Sequence, residues 1–101
     1  MEREQEIVAA KNVLRSFLRR GGKHHMHGVR IHRQAAEDNL NRLRALEGLC
    51  GRCVNLELRI SRLDGKDIVV VGCRNGFIPS ELYFNTPMGK TAECSGFKKV
   101  T

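Results

Sequence analysis

The 101-residue sequence predicts an α+β fold in two parts, a basic helical hairpin over residues 1–48 and a small β module over residues 49–101. Three observations lead there. Apolar residues recur at helical spacing as far as Glu47 and at strand spacing from Val54 onward. All four cysteines, Cys50, Cys53, Cys73 and Cys94, fall in the second part, in the pattern C-x2-C-x19-C-x20-C. The net charge of +7 equals that of one stretch of the first part, Ile7 to Ala36, where Lys11, Arg15, Arg19, Arg20, Lys23, Arg30 and Arg33 lie with no acid among them; in the remainder of the chain eleven Lys/Arg balance the eleven Asp/Glu.

Residues 4–20 read as the first helix. Ile7, Ala10, Leu14, Phe17 and Leu18 keep 3- and 4-residue spacing, Glu2, Glu4 and Glu6 sit at the N-terminal end, and Arg15, Arg19 and Arg20 at the C-terminal end, each where the helix dipole favours its charge. Gly21-Gly22 breaks the pattern, and Lys23-His24-His25-Met26-His27-Gly28 has no period and reads as a loop. A second helix is predicted from Val29 to Glu47 on Val29, Ala36, Leu40 and Leu43, with Gly48 as a left-handed stop. Two helices on a short link pack as an antiparallel hairpin.

The period then changes. Val54, Leu56, Leu58 and Ile60 alternate with Asn55, Glu57, Arg59 and Ser61, which describes a strand with one buried face. Asp64-Gly65 is a two-residue hairpin turn signal, and Ile68 to Cys73 is the returning strand. Pairing Leu63 with Lys66 sets Ile60 against Val69, Leu58 against Val71 and Leu56 against Cys73. That register carries Cys73 to the base of the hairpin, beside Cys50 and Cys53. Further on, Phe77-Ile78 and Leu82-Tyr83-Phe84 are apolar pieces flanking Pro79, and Asn85 to Gly89 is turn material that lets the chain return Cys94 to the same place.

Cys50-Gly51-Arg52-Cys53 is a knuckle short enough for two thiolates to meet one ion, and two more soft ligands complete a tetrahedral set. The β half is therefore expected to be a metal-bound module of zinc-ribbon type, with Cys50, Cys53, Cys73 and Cys94 as ligands. Zn2+ is the first candidate and a [4Fe-4S] cluster the second, since four thiolates suit both. A metal link would offset a thin core: there is no Trp, and Phe17, Phe77, Phe84, Phe97 and Tyr83 are the only aromatics. Four buried apolar cysteines or two disulfides are the competing readings. A dithiol redox site is disfavoured, because a helix precedes the knuckle and a strand follows it, the reverse of the usual order.

Other motifs carry less. Gly89-Lys90-Thr91 ends like a phosphate-binding loop, but Phe84 stands where its first glycine belongs. His27 and His32, five apart, do not share a helix face, so His24, His25, His27 and His32 are read as phosphate contacts or as solvated residues rather than as a second metal site. There are no paired carboxylates in an apolar setting, no Ser/His/Asp arrangement and no cofactor fingerprint, so no enzymatic activity is expected.

The run Cys50-Gly51-Arg52-Cys53, Gly72-Cys73, Leu82-Tyr83-Phe84 and Glu93-Cys94-Ser95-Gly96-Phe97 resembles a four-cysteine module found in the small accessory subunits of glycyl-radical decarboxylases. It covers residues 50–97. The resemblance implies that the four cysteines hold a [4Fe-4S] cluster, with a structural or regulatory role toward a large partner enzyme.

Seven cations and no acid over thirty residues form the footprint of a polyanion partner, with a solvated helix face as the competing reading. The function expected is that of a small zinc-binding, nucleic-acid-binding or transcription-associated protein, in which Lys11, Arg15, Arg19, Arg20, Lys23, Arg30 and Arg33 contact the backbone phosphates of DNA or RNA. The alternatives are the iron–sulfur accessory subunit, within a larger protein complex, and an interaction adaptor docking on an acidic protein. The first residues hold no basic-then-apolar leader, and the longest aliphatic run, Ile68 to Val71, is too short to span a bilayer, so a cytoplasmic protein with no membrane partner is expected.

Overall fold

The computed structural model describes residues 2–21 and 29–100, without the side chains of residues 2, 20, 21, 29–33 and 63. Helix α1 runs Glu2–Gly21 and α2 runs Val29–Glu47. A single 3-10 turn follows at Cys50–Arg52, then strands β1 (Leu56–Leu63) and β2 (Lys66–Cys73), then a short helix α3 (Pro79–Phe84). The class is α+β. No helix among the described residues is long and apolar enough to cross a membrane.

The hairpin has the predicted register: Leu56 faces Cys73, Leu58 faces Val71, Ile60 faces Val69 and Leu63 faces Lys66. Its turn explains why no other register forms. Asp64 (φ 52°) and Gly65 (φ 77°) both occupy the left-handed region, the conformation of a type I′ turn, whose twist matches that of the strands. Among the described residues the sheet has two strands, with an isolated bridge between Cys53 and Lys99, and no zinc ribbon is formed.

One apolar cluster joins both halves of the chain. Ala10 and Leu14 of α1 and Leu43 and Leu46 of α2 pack with Leu56, Val69 and Val71 of the hairpin, and Ile7, Val13, Leu18, Cys50 and Leu58 border them. Residues on either side of the 48/49 boundary thus share one core. Phe17 and Leu40, read from sequence as apolar-face positions, are exposed instead, because the hairpin covers α1 and α2 only toward Leu14 and Leu43. A second, smaller cluster of Ala45, Tyr83 and Ala92 lies on the other side of Cys50, which contacts both.

Two details depart from the sequence reading. Gly48 is not in the left-handed region; glycine stands there because a Cβ would collide with the Tyr83 hydroxyl and approach the Arg44 carbonyl. Helix α3 is also absent from the reading. At six residues it is too short to show a period, and it starts at Pro79, where a missing N–H costs a helix nothing. Arg44 fastens it to α2: its guanidinium donates to the carbonyls of Tyr83 (2.6 Å) and Thr86 (2.7 Å) and to Asn41 Oδ1 (3.2 Å), with its carbon 5.4 Å from the Tyr83 ring centre. A cation at a helix C-terminus satisfies carbonyls that have no partner within the helix.

Candidate metal centre

Each of the four cysteines opens a tight turn. The carbonyls of Cys50, Cys53, Cys73 and Cys94 accept hydrogen bonds from the N–H groups three residues on, those of Cys53 (3.1 Å), Leu56 (3.3 Å), Gly76 (2.9 Å) and Phe97 (3.2 Å). Turns of this kind reverse the chain within one residue of the sulfur, so four short loops can converge on one point. They do converge. Cys50, Cys53, Cys73 and Cys94 line a single cavity of about 20 Å³, together with Leu49, Leu56, Phe77, Pro79, Leu82 and Phe97.

Three sets of contacts hold the loops in place. The 50–53 knuckle lies close under α2, where a Cβ on Gly51 would overlap the carbonyl oxygen of Leu46. Lys98 and Val100 pair with the knuckle through Val54 N–H to the Lys98 carbonyl (2.8 Å) and Val100 N–H to the Arg52 carbonyl (2.9 Å). The Asn55 amide donates to the Gly96 carbonyl (3.0 Å), and the Arg3 guanidinium of α1 donates to the Cys53 carbonyl. The predicted return of Cys94 is thus made by the chain after α3, anchored on both sides of the knuckle.

Two sulfurs already accept backbone hydrogen bonds, Cys73 Sγ from Asn75 N–H and Cys53 Sγ from Lys98 N–H, both at 3.4 Å. At Cys50, burial, and then the neighbouring Cys94, Cys53 and Cys73, push the thiol up from 9.0 to about 11. Burial also raises the Tyr83 hydroxyl, against the hydrogen bond it receives from Leu49 N–H (2.7 Å). Among the described residues no three His, Cys, Asp or Glu side chains are grouped as a ready-made ion site.

Comparison with family models, characterised proteins and solved structures found no match.

The basic residues of the first half are placed less tightly. On α1, Arg19 is exposed, Lys11 is half-buried, and Arg15 is held by Glu47 at 2.6 Å. Arg20, Arg30 and Arg33 lie on the helices by backbone alone, and Lys23, His24, His25 and His27 lie outside the described residues. The sequence reading passed over four further exposed cations around the cysteines. Arg52 and Arg74 sit on the turns at Cys50 and Cys73, and Lys98 and Lys99 follow the turn at Cys94. Their signal was available, as the cations Arg52, Arg74, Lys98 and Lys99 near Cys50, Cys73 and Cys94 in the sequence, but it was hidden by the stronger charge run upstream. Tyr83 and Arg44 left no comparable signal, because their partners are backbone groups.

Proposed function

We propose that Cys50, Cys53, Cys73 and Cys94 bind one structural metal centre, with Zn2+ as the first candidate, in a small nucleic-acid-binding or transcription-associated protein whose basic stretch supplies phosphate contacts. One observation carries the metal half: four cysteines from three separate stretches line one cavity of about 20 Å³, a space of single-ion scale rather than a ligand pocket. The donor set fits. Soft thiolates suit zinc, the surrounding residues are apolar, and backbone N–H groups already point at two sulfurs. Binding has to draw the sulfurs inward to about 2.3 Å from the ion and release their protons, so it is coupled to folding. Four protein thiolates leave no position for water or substrate, and the role assigned to the metal is stability rather than catalysis. Segregation of the charge supports the phosphate half, with Lys11 and Arg19 the described candidates from the predicted set.

A [4Fe-4S] cluster is the second reading, favoured by the all-cysteine ligand set and by the N–H···S bonds, which tune clusters of this kind. Elemental analysis with thiol titration separates the readings: one zinc per chain with no reactive native thiols supports the first, and four iron with visible colour the second. Four freely reactive thiols and no metal would overturn both. Cys73→Ser should lower metal content and loosen the hairpin together. For the phosphate half, duplex binding should weaken with salt at a log–log slope of roughly −4 to −5 if about five phosphates are neutralised. Replacing Arg19, Arg20 and Lys23 with Gln should weaken all sequences alike and make the slope shallower by up to about three. A protein that ignores DNA and RNA at low salt but binds an acidic protein through these residues is an adaptor instead.

A further inference from the structure

Among the described residues the hairpin is a sheet of two strands, and neither of its edges has a neighbouring strand. In an antiparallel pair, backbone groups point alternately toward the partner strand and away from it. The Arg74 N–H to Asn55 carbonyl bond sets the phase: residues 57, 59 and 61 bond inward to β2, and Leu58, Ile60 and Arg62 point outward. Among the described residues no backbone or side-chain group hydrogen-bonds the outward N–H and C=O of Leu58 and Ile60. Over Leu56–Ile60 this edge has no proline, no lysine and no bulge, and its charges, Glu57 and Arg59, are of opposite sign. Ile60 is 37% exposed there although it belongs to the apolar face.

The charges beside that edge are self-complementary. Glu57 and Arg59 are exposed, flank Leu58, make no ion pair among the described residues, and face the uncharged Gly72 and Val70 of β2. We propose that β1 pairs antiparallel with β1 of a second copy of this chain, about a two-fold axis at Leu58, to give a continuous four-stranded sheet. In that register Glu57 of each copy stands opposite Arg59 of the other, twice, and Ile60 stands opposite Leu56 on the apolar face. Outward groups meet outward groups, as an antiparallel ladder requires. Moving the axis to Arg59 or to Glu57 sets like charges directly opposite, which is destabilising, and moving it to Ile60 sets Leu58 against Arg62. The β2 edge offers no equivalent. Its outward residues are Asp67, Val69, Val71 and Cys73, and no two-fold register that matches them brings Lys66 opposite Asp67.

An isologous interface of this kind predicts its own charge-swap experiment. Sedimentation or light scattering of the full chain across a concentration series should give twice the 11.4 kDa chain mass. Glu57→Arg and Arg59→Glu should each weaken the dimer by roughly tenfold or more while circular dichroism stays unchanged, since two favourable pairs become two repulsive ones. An equimolar mixture of the two variants should restore association as a heterodimer, and the double variant should restore the homodimer. A chain that stays monomeric throughout, or a dimer indifferent to both single substitutions, overturns the proposal. Neither outcome depends on metal content or on nucleic-acid binding.

Discussion

The hydroxyl of Tyr83 accepts a hydrogen bond from the backbone N–H of Leu49 at 2.7 Å, which ties α3 to the residue just before the first cysteine. Tyr83 is buried, and Arg44 of α2 reaches its backbone carbonyl at the same time, so α2, α3 and the start of the knuckle meet on one residue. Tyr83→Phe keeps the ring and removes the acceptor, leaving the Leu49 N–H without its partner. Loss of about 1–3 kcal/mol in urea unfolding is expected. A variant as stable as the parent would mean that water replaces the hydroxyl.

Gly51 is required by space rather than by backbone conformation. Gly51→Ala drives a methyl group into the Leu46 carbonyl, a backbone atom that cannot swing away, and should cost about 1–3 kcal/mol or more. Gly72→Ala is the control, because its Cβ would meet Glu57 only at 3.8 Å, an ordinary contact. Thermal melts of the two variants should separate clearly; equal melts would mean that the knuckle does not lie under α2.

At the hairpin tip both central residues have positive φ, and their tolerances should differ. Asp64→Asn should be nearly neutral, since Asn enters the left-handed region readily, whereas Gly65→Val should cost about 1–3 kcal/mol of strain. Amide exchange across Arg59 and Val70, a pair that bonds inward, reads this directly. Equal protection in both variants would place the turn elsewhere.

Stability of the metal-free protein should depend on pH in a stated window. Cys50 holds its proton up to about pH 11 when folded, against 9.0 ordinarily, so the folded state binds that proton more tightly than the unfolded chain. The resulting stabilisation is full below about pH 9 and is lost as pH rises through about 11. Urea midpoints should fall across that window by more in the parent than in Cys50→Ser. Identical falls would show that the thiol is not crowded by its neighbours. The loaded form runs the other way, losing metal as acid returns protons to the sulfurs.

The sequence revealed most where chemistry is local. Asp64-Gly65 specifies a turn type, the turn type specifies a register, and alternation from Leu56 to Ile60 then says which face is buried, so the pairing of Leu56 with Cys73 followed without any knowledge of the rest. The bounds of α2 were equally plain, from a period that runs unbroken to Glu47. What stayed hidden depends on approach between distant segments. Gly48 and Gly51 are explained by the atoms facing them, Arg44 by carbonyls 39 and 42 residues away, and α3 by packing that its six residues do not advertise. At the cysteines the order of certainty reversed along the chain. Cys50 and Cys53 were obvious from spacing, Cys73 came from the register, and Cys94 depended on the whole return path through α3.

The core that joins Ala10 and Leu14 to Val69 and Val71 has a consequence for how the chain can be divided. Neither the helical pair nor the hairpin can close an apolar interior alone, because each supplies the surface that the other covers. Separated at the junction, the two lengths would be complementary fragments, each a lure for the other, and their reunion would bring Leu46 back over Gly51 beside the first two cysteines. Wholeness of the molecule could then be followed as an association between two peptides rather than as the folding of one.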